Sequence, residues 1–291
     1  SITEARKVFD EIPNRDVVSW TSLMSGYVEH GHGEEAIDCY DLMQLEGTFP
    51  DCITFSCILK CCANSRDSGK GCEIHAEISR KGLLQKDLVL SSMLIDMHAK
   101  CGFLSIAKEV FDKLIVRDVV SWTTLIMGYV EEELFDEALN CFNQMQLEGF
   151  SLDSTVFSCS LKACGCIGAL RKGLEIHSRI ILNHVQNDVS VGCALVDMYI
   201  RCGSLERARV VFDGLLVRDV ALWNALINGC LEHCMDENVC VLLEEMQLEG
   251  VNPDHETFAS CVRACGSLQD IVKGQELHMD ITKKGLQDEI I

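Results

Sequence analysis

The sequence predicts an all-α chain, a right-handed α-solenoid superhelix of helix–turn–helix repeats, and three observations carry that prediction. Short motifs recur on one long period, apolar residues within each period fall at helical spacing, and glycine and proline punctuate the chain where paired helices would turn. The recurrence weighs most. RDVVSW at 15–20 returns at 117–122 and, as RDVALW, at 218–223, offsets of 102 and 101 residues. MQLEG at 43–47, 145–149 and 246–250 keeps the same step, as does the series opening at Phe55, Phe157 and Phe258. A fixed period of this kind defines an array, in which stacked neighbours bury the apolar surface that one helix pair cannot.

Each long cycle divides into three related units. The first, residues 17–51, sets Trp20, Leu23, Met24, Tyr27 and Val28 on one face at i, i+3, i+4 spacing, the pattern of an amphipathic helix. Gly31 and Gly33 break that helix. Ala36, Ile37, Tyr40 and Met43 form a second stripe, which Gly47 and Pro50 end, a helix stop signal. Units 52–87 and 88–118 repeat the plan, and the cycle restarts as 119–153, 154–188 and 189–219, then as 220–254 and 255–291, the last cut short. Residues 1–16 match the tail of the 88–118 unit and form a partial repeat. No linker, low-complexity stretch or change of composition marks a second domain, so the expectation is one solenoid over 1–291. Because the chain opens inside a repeat and without Met, it is expected to be a fragment, with any targeting peptide upstream.

Composition narrows the function. Hydrophobic residues at 48% with 3 prolines exclude a disordered tail. No apolar run reaches the ~20 residues a membrane span needs, so no membrane partner is expected. Most of the 18 cysteines sit inside apolar helical patterns, where a free thiol packs as a small hydrophobe in a reducing compartment. No C-x-x-C occurs, which removes the usual zinc framework. Two H-x-E strings, His32-Gly33-Glu34 and His75-Ala76-Glu77, lack the C-x-x-C partner of a zinc deaminase. There is no phosphate-binding glycine loop and no nucleophile elbow. The chain reads as a non-enzyme with no cofactor, although an editing domain could follow residue 291. The net charge of -20 has the wrong sign for a phosphate binder; acidic second helices (Glu34, Glu35, Asp136, Glu137, Glu244, Glu245) on an outer face account for it.

Several recurring residues have structural readings. Trp20, Trp122 and Trp223 keep step with Leu23, Leu125 and Leu226 and belong to the core. His75, His177 and His278 recur once per cycle, too far apart for a shared metal, and are expected to hydrogen-bond at repeat interfaces. The aspartate ending each unit can cap the next helix.

The rotation of 35, 36 and 31 residues resembles the PLS class of plant pentatricopeptide repeat proteins. VVSWTSLMSGYVEHGHGEEAIDCYDLMQLEG carries the likeness in the P unit, FSCSLKACGCIGALRKGLEIHSRI in the L unit and ALVDMYIRCGSLERARVVFDGLLVRD in the S unit. The resemblance implies single-stranded organellar RNA as partner, in chloroplast or mitochondrion. It implies one nucleotide per repeat, protein and RNA running parallel, and a place in cytidine-to-uridine editing or RNA processing. In that family the fifth and last residues of a unit read the base. Carried over, the P pairs are Thr21/Asp51, Thr123/Asp153 and Asn224/Asp254, and the S pairs are Ser92/Asp118 and Cys193/Asp219. The weaker L pairs are Ser56/Asp87 and Ser158/Asp188, with Ala259 at position five of the last. By the family pattern the footprint is roughly G–any–purine–G–any–any–pyrimidine. Val18, Val120 and Ala221 would sandwich base faces, and Lys100 and Arg201 would approach phosphates, where the P units carry Glu29, Glu131 and Glu232 instead. Cys193 is a poor hydrogen-bonding reader. L units resemble docking sites for small RNA-editing cofactor proteins, and exposed end repeats are a place for self-association. The rival reading is a protein- or peptide-binding scaffold with a basic segment in the groove, favoured by the acidic charge.

Overall fold

The computed structural model describes residues 2–186 and 188–284; the end of the last unit, 285–291, and Ser1 lie outside them. The described residues form 17 α-helices and no strand. They pack as two compact units, residues 1–151 and 152–291.

In the first unit, α1 (Ile2–Asp10) is the second helix of the partial repeat. Three helical hairpins follow at the predicted periods: α2 (Val17–Glu29) with α3 (Gly33–Leu45), α4 (Cys52–Ser65) with α5 (Ser68–Arg80), and α6 (Leu88–Lys100) with α7 (Leu104–Asp112). A fourth, α8 (Val119–Glu131) with α9 (Phe135–Leu147), completes it. First helices stack on first helices, α2 on α4, α4 on α6 and α6 on α8, while each packs against its own second helix. The second unit repeats the scheme with α10 (Ser154–Cys166) and α11 (Leu170–Leu182), α12 (Val189–Arg201) and α13 (Leu205–Gly214), α14 (Val220–Glu232) and α15 (Asp236–Leu248), and α16 (His255–Leu268) and α17 (Ile271–Lys284).

Each first helix starts where an aspartate can satisfy its free amides. The side chains of Asp16, Asp51, Asp87, Asp118, Asp153, Asp188, Asp219 and Asp254 all accept from backbone N–H groups of the first turn, a bond worth about 1 kcal/mol each. The three tryptophans are core, at most 1% exposed. Each meets a phenylalanine of the preceding repeat edge-on: Phe9–Trp20, Phe111–Trp122 and Phe212–Trp223, with ring centroids 4.5–4.6 Å apart. Over each phenylalanine lies the arginine of the recurring RDV, Arg15, Arg117 or Arg218. That arginine reaches on to the glutamate of MQLEG, Arg15 to Glu46 at 2.8 Å, Arg117 to Glu148 at 3.1 Å, and Arg218 to Glu249. The two recurring motifs are thus the two ends of one clamp.

The 18 cysteines are free thiols, and burial pushes Cys62 and Cys261 up to about 12, so they pack as neutral side chains. Gly71 and Gly173 allow the close approach of a second helix to the following first helix. A Cβ at either would strike the sulfur of Met97 or Met198.

Candidate nucleic-acid interface

The face of interest is built by the first helices, whose second, fifth and ninth residues lie along one side at helical spacing. In the first complete repeat it forms a depression of about 310 Å³ lined by Val18, Thr21, Ser22, Ser25, Asp51 and Ile53. The fifth residue, the last residue and two second-position apolar side chains therefore share one pocket. The Thr21 hydroxyl lies 2.9 Å from the Thr54 hydroxyl, which in turn donates to Asp51 Oδ1 at 2.8 Å. The pair named from sequence is thereby linked through a third residue.

The Asn224/Asp254 pair repeats this design with direct contact. Asn224 Nδ2 donates to Asp254 Oδ1 at 3.1 Å and lies 3.4 Å from Glu256 Oε2, while Asn224 Oδ1 accepts from the Thr257 hydroxyl at 2.6 Å. Burial works against the charge on Asp254, but the bonds from Thr257 and Asn224 outweigh it and hold the carboxyl below its usual range. Thr54 and Thr257 escaped the sequence reading. Their signal was an Asp-x-x-Thr capping box at the start of the following helix. Val156 stands in that register after Asp153, and Thr123 bonds back to Val119 O at 2.7 Å. Thr123 belongs to the first unit and Asp153 to the second.

Among the L-unit residues, Ser56 donates to Cys52 O at 2.9 Å, and Asp87 caps α6 through Leu90 N. Ser158 lies 3.1 Å from the Ser190 hydroxyl. Asp188 accepts from Ser154 Oγ at 2.7 Å, and this bond, with those of the cap, holds its carboxyl low. In the S units Ser92 is buried with its hydroxyl unpartnered among the described residues. The Cys193 thiol is pushed up by burial and by the nearby Asp219. Asp118 and Asp219 cap α8 and α14.

The sandwich positions stand out into solvent: Val18 is 66% exposed and Val120 59%, and Ala221 is exposed. Two more belong to the series, Ile53 at 67% and Val89 at 63%. They occupy the second position of their units, a register legible from the repeat boundaries. Lys100 and Arg201, to which the resemblance assigns phosphate contacts, are paired within their own helices, with Asp96 at 3.0 Å and Asp197 at 2.8 Å. His98 Nε2 and His75 Nδ1 are 2.9 Å apart, and His177 bonds the Tyr199 hydroxyl at 2.7 Å; His278 is exposed. Among the described residues no group of three or more His, Cys, Asp or Glu could hold a metal ion. No helix there is long and apolar enough to cross a membrane.

Paired helices in fixed rotation, with each first helix capped by an aspartate, define a helical-hairpin repeat array of the α-solenoid class. The chain belongs to the pentatricopeptide repeat family: the PPR repeat family model matches residues 15–64, 117–166 and 218–267, and the PPR repeat model matches 89–119. It is 35% identical to a mitochondrial pentatricopeptide repeat-containing protein of Arabidopsis thaliana, over 98% of this chain and 28% of that protein. A chloroplastic relative from the same plant is 33% identical over 97% of this chain and 46% of its own length. The chain therefore spans less than half of these relatives. In fold it matches the crystal structure of the pentatricopeptide repeat protein PPR10 from maize, with a TM-score of 0.87 at 20% identity, over 98% of this chain and 41% of that one. The structure of PPR10 in complex with an 18-nt psaJ RNA element matches with a TM-score of 0.81, at 20% identity, over 98% of this chain and 43% of that one.

Proposed function

We propose that the chain binds single-stranded RNA, one nucleotide per repeat, as a target-recognition array of the PLS class serving organellar C-to-U editing or RNA processing. The observation that carries this reading is the pocket uniting Val18, Thr21, Asp51 and Ile53. Two apolar side chains stand where the faces of a base would lie, and a hydroxyl and a carboxylate stand where its edge would lie. An unpaired base offers its Watson–Crick edge to such groups, and flanking side chains can hold its faces. The PPR10 complex with RNA and the mitochondrial and chloroplastic relatives support the reading. On it, the eight complete or nearly complete repeats work as one array, Thr with Asp selecting guanine and Asn with Asp a pyrimidine. Small editing-cofactor proteins on the L units and self-association through end repeats are further partners of the same proposal.

Fluorescence anisotropy against a 5′-GNRGNNY-3′ RNA pool and a scrambled pool tests it. Thr21→Asn is the informative variant, because Asn224 already occupies the equivalent place beside Thr257 and Asp254, as Thr21 lies beside Thr54 and Asp51. Selective binding whose preference moves from guanine to uracil at one position is expected. Failure of the chain to bind either pool at low salt would overturn RNA binding in favour of a scaffold for a basic peptide.

A further inference from the structure

Lys60, Lys162 and Arg263 stand at the ninth residue of the three L-unit first helices, α4, α10 and α16. All three are exposed. Ile53, Ser56 and Lys60 descend one helix face and line a depression of about 180 Å³ with Ser25, Glu29 and Met93. That depression shares Ser25 and Ile53 with the pocket around Thr21 and Asp51, so the ammonium lies next to the place where a base would sit.

Their electrostatic state sets them apart from the cations that the family register singled out. No carboxylate lies within 4 Å of Lys60, Lys162 or Arg263 among the described residues, whereas Lys100 and Arg201 are paired with Asp96 and Asp197. Lysines on the second helices of L units are paired as well, Lys70 with Asp41 at 2.7 Å and Lys273 with Glu244 at 2.6 Å. A paired cation must give up its carboxylate to meet a phosphate, so its net gain is small. An unpaired one neutralises the phosphate outright and releases a counterion.

We propose that Lys60, Lys162 and Arg263 are the backbone-phosphate contacts of this chain, one per three-repeat cycle. The proposal rests on the RNA-binding reading and adds to it where the electrostatic part of affinity resides. It also accounts for how an acidic chain can hold a polyanion: three cations are kept free on the first-helix face, while most of the carboxylates cap helices or cover second helices.

The test is anisotropy of the chain with the 5′-GNRGNNY-3′ and scrambled single-stranded RNA pools over a salt series. Three forms are compared: unmodified, Lys60→Gln with Lys162→Gln and Arg263→Gln, and Lys100→Gln with Arg201→Gln. The triple variant is expected to lose about a hundredfold in affinity at 0.1 M salt, and the slope of log K against log salt should fall by about 2, from roughly 0.7 per contact on a single strand. Both pools should weaken alike, because phosphate contacts carry no sequence information. The Lys100/Arg201 variant should keep its slope. Each single variant should lower the slope by about 0.7, which guards against a misfolded triple variant. Binding by the unmodified chain with an unchanged slope in the triple and single variants would overturn the proposal and leave RNA binding intact. Absence of any binding by the unmodified chain would remove both.

Discussion

The aspartate that ends each unit caps the following helix with a single oxygen. Oδ1 caps the next helix at Asp51, Asp118, Asp153 and Asp219, and a carboxylate so used keeps a second oxygen for another donor. The same economy of side chains leaves one gap. Cys230 stands where Tyr27 and Tyr129 stand in the earlier cycles, and a cavity of about 290 Å³ opens there among Leu205, Arg209, Leu226, Met235 and Leu242. The Tyr27 side chain is among the groups that raise the pKa of Arg6, the counterpart of Arg209. Cys230→Tyr should therefore fill the cavity and bring its hydroxyl to Arg209, raising stability by about 1–2 kcal/mol; a urea midpoint that stays put or falls would refute it. His98 offers a second residue-scale prediction. Burial, with His75 adding repulsion, pushes its pKa down to about 4. An unfolded histidine titrates near 6.5, so the unfolded chain takes up the proton first as the pH falls. This contribution to stability is complete above about pH 6.5 and drains away toward pH 4, on the order of 3 kcal/mol in all. The second cycle has Tyr199 at this place, bonded to His177. In His98→Tyr the difference from the parent chain should grow steadily from pH 6.5 to 4 in thermal melts, and a constant difference would exclude buried His98 as its source.

At the scale of the element, the hairpin turns ask for a left-handed residue, and the repeats supply it unequally. Gly31 turns the first P hairpin at φ 77°, but Glu133 and Cys234 take the same place at φ 59° and 57°. An L residue held there costs about 1–2 kcal/mol, so Glu133→Gly should stabilise the chain by about 1 kcal/mol. Equilibrium denaturation would show it, and a loss of stability would mean that the glutamate side chain contributes something the turn needs. Much of this level was legible in the sequence. The glycines, the terminal aspartates and the apolar stripes locate hairpins whose helices begin within a residue or two of the expected places, because these signals are local to each turn of helix. The contacts made at long range were not. RDV and MQLEG could be seen to recur together, but that Arg15 clamps Glu46 across 31 residues is a consequence of packing, not of spacing. The Thr54 and Thr257 relays were hidden for the same reason, since a capping residue gives no sign of what its hydroxyl touches in the previous repeat. Lys100 and Arg201 have partners in plain view four residues earlier, and i, i+4 pairing on a helix engages them with Asp96 and Asp197.

Across the whole chain, the two compact units differ in the second-position residues of their first helices. The second-position residues of the first are Val18, Ile53, Val89 and Val120, each at least 59% exposed. Those of the second are Thr155, Ser190, Ala221 and Glu256, all exposed, and none larger than Thr apart from the charged Glu256. Burying an apolar side chain against a base face gains roughly 0.8 kcal/mol per CH2 group, whereas an exposed glutamate against an RNA strand opposes binding. Affinity should therefore be concentrated in residues 1–151. A base covers only part of each side chain, so replacing Val18, Ile53, Val89 and Val120 together by alanine should cost about 3 kcal/mol, less than half of the full-burial value and roughly a hundredfold in Kd, without altering the salt slope. The matched alanine set at Thr155, Ser190 and Glu256 should change little or strengthen binding, since it removes a negative charge. The four positions are solvent-facing, so both sets should melt like the parent chain. Anisotropy titrations of the two sets decide the matter: equal losses would mean that the exposed apolar row does not hold bases, and that the preference of each repeat comes from the edge-reading pair alone.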